Sequence, residues 1–285
     1  MAGLHVRSLL VTGANRGIGL GLVQHFLRMP NPPQWIFAGC RSPKGQRAQE
    51  LQNLASKHPN VIIIPLGRCL EVGILCPSSS GGCPSWAHPA SPVLGGSCAN
   101  GLLPVGPSGT ADSGERGKRR EDDPVLVSVL PTVEGAAPLP CAMSVCAPVP
   151  SVSLQAFLPL LKKAAQGSPG SGLSCSKAAI INISSIGGSF SSFFTWDAIQ
   201  ATSYRCSKAA LNMLSKCQSL AYREHGVLCV ALHPGWVQTD MGSSAGHTPP
   251  VTVDDSVQGM LKVLSSLSEK ETGTFLDWEG NVIPW

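Results

Sequence analysis

Apolar residues run along this chain in two rhythms. Short, nearly unbroken apolar runs at 8–11, 35–39, 61–64, 179–183, 227–232 and 275–278 each have the length of a strand. Their continuous β-branched and apolar character predicts strands covered on both faces. Between them lie helix-length segments: about ten residues from Ile18 to near Pro30, a polar stretch at 43–57, an amphipathic one at 154–165, a long one at about 202–225, and another at 253–267. Six strands alternating with helices predict an α/β fold of the Rossmann type, a doubly wound parallel sheet in a single domain spanning 1–285.

The rhythm fails from 67 to 152. That stretch holds 12 Pro, 12 Gly, six of the 11 Cys and one aromatic residue, Trp86, with no sustained period. It is expected to be an irregular, disordered insertion or replacement, since a compact domain does not hold so long a structureless loop. Its one strand-like run is 125–130, bracketed by Pro124 and Pro131.

Composition narrows the class. Hydrophobic residues make up 43% and charged residues 13%, which suits a buried sheet under helices and disfavours a disordered or nucleic-acid-binding chain. The net charge of +4 is mild, and the basic run at 116–120 is followed at once by Glu121, Asp122 and Asp123, as in a solvated loop. No run of about 18 apolar residues occurs, so no membrane span is expected. The opening residues lack the apolar core and cleavage site of a secretion signal, so the cysteines are expected to be reduced thiols in a cytoplasmic protein. Cys69, Cys76 and Cys83 recur every seven residues and Cys141 and Cys146 lie five apart, but no C-x-x-C pair joins them and His88 is isolated. Incidental thiols, and no metal site, are the expectation.

Two constellations carry chemistry. Thr12-Gly13-Ala14-Asn15-Arg16-Gly17-Ile18-Gly19 joins the first strand to the first helix, where backbone N–H groups can face a pyrophosphate. Glycine there allows a tight turn and close approach of backbone to phosphate. After the second strand, Arg41 stands where an acidic residue would hold a ribose 2′-hydroxyl. A guanidinium fork suits a 2′-phosphate instead, so NADPH is the expected cofactor, with Arg16 either adding to that site or lying on the surface. Cys40 reads as a small strand residue. In the other constellation, Tyr204 and Lys208 stand at i and i+4 near the start of the long helix. A neighbouring ammonium favours a phenolate, which can then exchange protons with a carbonyl or alcohol oxygen. Asn182-Ile183-Ser184-Ser185 ends the preceding strand, where open α/β sheets bind their ligands.

Together, T-G-x-x-x-G-x-G, a strand ending in N-I-S-S and Y-x-x-x-K resemble the short-chain dehydrogenase/reductase family. TGANRGIG, AFLPLLKKA, HPGWVQTDMG and FLDWEGNVIPW are most similar to its sniffer and C-factor-like carbonyl reductases. The resemblance covers about 5–66 and 153–285. It implies that Ser185, rather than Ser184, hydrogen-bonds the substrate oxygen, that Tyr204 is the proton donor, and that Lys208 lowers the tyrosine pKa and holds the nicotinamide ribose. It further implies cofactor contacts from Gly13, Asn15, Arg16, Gly17, Ile18, Gly19, Arg41, Tyr204, Lys208, Pro234, Gly235, Val237 and Thr239. Hydride transfer between NADPH and a carbonyl or alcohol would be the reaction, with a homo-oligomer built on the helix of Tyr204 and its neighbour.

The chain also departs from the family pattern. Gly67-Arg68-Cys69 stands where an adenine-contacting Asp belongs, the irregular segment stands in place of the fourth strand and its N-N-A-G ending, and 141–152 lacks the relay Asn. A sheet without its central strand would expose apolar faces worth many kcal/mol, so the irregular segment must supply a substitute, and 125–130 is the candidate. A splice variant of a reductase, a catalytically impaired dinucleotide- or partner-binding protein, and a product that does not fold stably all follow as alternatives.

Overall fold

The structure, a computed structural model, describes residues 4–66, 125–129, 148–167, 172–192, 201–243 and 248–285. These fall within one compact unit. Its strands are β1 (Ser8–Thr12), β2 (Trp35–Cys40), β3 (Val61–Pro65), β4 (Val125–Val129), β5 (Ala178–Ile183), β6 (Leu228–His233) and β7 (Phe275–Asp277). All pair in parallel, in the order β3-β2-β1-β4-β5-β6-β7. The chain steps outward from β1 to β3, returns to β4 beside β1, and then steps the other way, so the order reverses between β1 and β4. Ligands of open α/β sheets bind at the carboxyl ends of the strands beside such a reversal.

The helices are α1 (Gly17–Leu27), α2 (Gln49–Lys57), α3 (Pro148–Gly167), α4 (Thr202–Tyr222), α5 (Asp240–Ser243) and α6 (Val253–Ser266). Neighbouring strand residues serve opposite cores, as the two-residue period requires. Leu9, Val11 and Ile181 pack with Phe26 of α1 and Met260 and Leu264 of α6, whereas Leu10 and Ile180 pack with Leu161 of α3. Every residue of β5 is buried and all but the last of β6, which is why both read as nearly unbroken apolar runs. Helix α1 lies close against α6: a Cβ on Gly21 would fall 2.7 Å from Val253 Cγ1.

Val125–Val129 does become a strand, and it takes the central place. Its backbone pairs with β1 on one side and with β5 on the other, so the irregular segment closes the sheet. The rest of the segment up to 147 lies outside the described residues. At its far end the expectation is corrected: α3 begins at Pro148, six residues before 154. Pro148 and Pro150 fall in the first turn, where a missing N–H breaks no helical hydrogen bond. The long helix ends at Tyr222, three residues short of the expected end, in a single 3₁₀ turn that Gly226 stops at φ 76°.

Candidate active site

The loop between β1 and α1 is built for close approach. Gly13 (φ 65°) and Gly17 (φ 51°) both adopt the left-handed conformation, and Ala14 N–H donates to Gly39 O at 3.0 Å, tying the turn to β2. Asn15 Nδ2 donates to Arg47 O at 3.4 Å. Ile18 packs against the core and Gly19 is buried. Helix α1 starts with no side-chain cap and no acidic residue in its first turn, so its leading amides and dipole suit an anion. Arg41 is exposed just beyond β2. These residues fit a dinucleotide whose pyrophosphate meets the turn.

Thr239 and Asp240 close the other side of the turn. A Cβ on Gly17 would fall 3.3 Å from Thr239 Cγ2, and Arg16 Nη1 lies 2.9 Å from Asp240 Oδ2. Arg16, expected from sequence either to add to the adenosine-side site or to lie on the surface, thus faces the segment after β6. That segment is well fixed. Ser256 Oγ donates to Pro234 O at 2.6 Å, and Gly235 holds φ 85°. Buried Val237 bridges Val251, while Gly242 N–H donates to Thr239 Oγ1 at 3.1 Å.

Ser185, Tyr204 and Lys208 meet at the carboxyl end of β5. Ser185 leaves the strand in extended conformation and caps the 3₁₀ turn Ile186–Gly188, its Oγ accepting from Gly187 N–H at 3.1 Å. Gly187 separates it from the tyrosine: a Cβ there would lie 3.5 Å from Ser185 Oγ and 3.7 Å from Tyr204 Cε1. Lys208 is buried, its Nζ donates to Ile183 O at 3.1 Å, and it stands 5.7 Å from the Tyr204 ring centroid. Ser184 points elsewhere, its Oγ donating to Asn212 Oδ1.

Sequence reasoning missed Asp240, Asn212 and His233. Asn212 continues the four-residue spacing of Tyr204 and Lys208, a signal legible in retrospect. His233 ends β6 opposite Asp277, with its Nδ1 buried and unpaired. Burial pushes its imidazole down to about 4; Asp277 opposes this, and the Lys208 charge adds to it. Among the described residues no His, Cys, Asp and Glu side chains gather into a metal-binding group, and no helix is long and apolar enough to cross a membrane.

Comparison with known proteins adds relatives. A short chain dehydrogenase family profile matches residues 152–250. The NADPH-bound carbonyl reductase from chicken fatty liver is 47% identical, with 99% of this chain and 100% of that one covered and a TM-score of 0.75. Carbonyl reductase Sniffer of D. melanogaster is 30% identical, with 99% and 100% covered and a TM-score of 0.69. C-signal of Myxococcus xanthus is 47% identical over 85 residues, 30% of this chain and 49% of that protein, so the match spans about half that relative's length.

Proposed function

The chain belongs to the short-chain dehydrogenase/reductase family, and from that premise we propose that it is an NADPH-dependent reductase of small carbonyl compounds. The observation that carries this reading is the convergence of Ser185, Tyr204 and Lys208 on one glycine turn at the carboxyl end of β5. Bound NADPH would supply the hydride to the carbonyl carbon. The protein's part is to hold the carbonyl oxygen and protonate it. A serine hydroxyl has one donor and two lone pairs. Because Ser185 Oγ already accepts from Gly187 N–H, its own O–H is left to donate to the substrate oxygen. The Tyr204 phenol gives its proton to that same oxygen. The Lys208 ammonium beside the ring stabilises the negative charge that develops on the phenol oxygen.

Preference for NADPH is supported by Arg41, an exposed guanidinium just past β2, and by the absence of acidic side chains from the first turn of α1. The chicken reductase, 47% identical, binds the same cofactor. Self-association through α4 is part of the proposal: Met213 and Leu220, seven residues apart, are 63% and 68% exposed on it, and Leu160 of α3 is 52% exposed. Cytoplasmic residence is supported by the free thiols of Cys40, Cys175, Cys206, Cys217 and Cys229.

The test is thermal melting with and without NADPH or NADH, followed by turnover of 4-nitrobenzaldehyde, cyclohexanone and 1,4-naphthoquinone. NADPH at about 100 times its dissociation constant adds roughly 2.7 kcal/mol to stability. The rise should be smaller with NADH and largely lost in Arg41→Asp. Tyr204→Phe should bind NADPH normally and lose turnover. Binding without turnover of any carbonyl would favour a dinucleotide-binding protein without catalysis, and no binding would refute the proposal.

A further inference from the structure

Helix α4 carries three polar side chains in one row, Tyr204, Lys208 and Asn212, each four residues after the last. Asn212 is 3% exposed, and both ends of its amide are engaged at the Ser185 turn. Oδ1 accepts from Ser184 Oγ, immediately before Ser185. Nδ2 donates to Gly188 O at 3.1 Å, three residues after it. One side chain thus grips the turn on both flanks of the serine.

The turn has no spacer between it and the helix. A Cβ on Gly188 would fall 2.6 Å from the Lys208 carbonyl carbon and 2.8 Å from Ala209 N, so the turn rests on helix backbone. Among the described residues, Ser185 itself bonds only within the turn, accepting from Gly187 N–H with Oγ and from Gly188 N–H with its carbonyl. Its placement relative to Tyr204 is therefore set by whatever fixes the turn to α4. An amide suits that task because it offers an acceptor to Ser184 and a donor to Gly188 at once. A carboxylate lacks the donor, and an aliphatic residue deprives the Gly188 carbonyl of this donor and leaves Ser184 Oγ only its long contact to Lys208 O at 3.5 Å.

We propose that Asn212 is a positioning residue that clamps the Ser185 turn to the helix bearing Tyr204 and Lys208, and so fixes the gap a substrate oxygen must bridge. This rests on the carbonyl reductase reading of the site. Small misplacement of reacting groups costs rate steeply, so Asn212→Ala should lower kcat by about ten- to a hundredfold. The dissociation constant for NADPH, read by nicotinamide fluorescence, should change by less than about twofold, because the phosphate turn lies on other elements.

The experiment is a double-mutant cycle with Ser185→Ala, using whichever of the three test carbonyls the parent reduces fastest. If Asn212 acts through Ser185, Asn212→Ala lowers kcat in the parent but has no further effect on kcat in Ser185→Ala, while its loss of melting temperature persists in both backgrounds. Asn212→Asp keeps the side-chain shape, covers the case in which the alanine variant fails to fold, and should show the same pattern. Losses of kcat that multiply across the cycle, or unchanged kcat in both variants, would overturn the positioning role. A parent that binds NADPH but reduces none of the carbonyls would overturn it together with the reductase reading.

Discussion

His233 makes acid sensitivity calculable. Its imidazole lies at about 4 in the folded protein, against an ordinary value of 6.5 in the unfolded chain. Between those values the unfolded state binds the extra proton. Stability is therefore full above about pH 6.5 and is lost as pH falls toward 4. Acidification from pH 7 to pH 5 should cost about 2 kcal/mol through this residue alone, or roughly 5 °C in melting temperature for a chain of this size. The assay is thermal melting at half-unit steps between those limits for the parent and for His233→Gln. Glutamine cannot titrate, so the variant's curve should be flatter by that amount, whatever its absolute stability. Carboxylates other than Asp277, which faces His233, contribute to both curves and cancel in the difference. Parallel curves would refute the reasoning, because they would mean that the folded imidazole takes up its proton as easily as a solvated one.

Three further outcomes are expected. Gly188→Ala drives a methyl group into the Lys208–Ala209 backbone, which cannot rotate away, and should cost about 1–3 kcal/mol in urea unfolding along with turnover; a variant of normal stability would show that the contact is slack. Thr252 caps α6 by accepting from Asp255 N–H at 3.1 Å, so Thr252→Ala should lose about 1 kcal/mol and Thr252→Ser should retain most of it. The Arg16–Asp240 pair joins a carboxylate that is 81% exposed, so Asp240→Asn should change stability by less than about 1 kcal/mol, a difference that vanishes in high salt. A larger, salt-insensitive loss would mean that Asp240 is held by more than this pair.

Strands were the most legible part of the sequence, because a parallel sheet covered on both faces demands nearly unbroken apolar runs such as Ala178–Ile183, which only Asn182 interrupts. The prolines misled in one place and helped in another. Pro148 and Pro150 look like breakers yet stand in the first turn of α3, whereas Pro124 and Pro131 correctly bracketed β4. Short-range motifs pointed to Ser185, Tyr204, Lys208 and the glycine turn as candidates, since glycine conformation and i,i+4 spacing are local properties. What joins distant segments left little local trace. Arg16 meets Asp240 across 224 positions, and nothing beside either residue announces the pairing. His233 was quoted only as part of a loop motif, because its burial depends on β7 and α4 arriving from elsewhere in the chain. The helix α5 went unread because four residues carry no period.

The place of β4 also dictates how long β1 must wait for its central neighbour. β3, β2 and β1 form one half of the sheet and β5, β6 and β7 the other, and among the described residues the ladder joins the halves only through Val125–Val129. Residues 67 to 124 must be synthesised before that strand exists, so β1 leaves the ribosome far ahead of its central neighbour. Until β4 docks, β1 presents an unpaired apolar edge, the kind of surface on which nascent chains mispair. Bringing together segments so far apart in sequence costs entropy that grows only slowly with their separation, so the finished sheet bears it lightly. The burden falls on the newborn chain, in which β1 waits longest for its central neighbour.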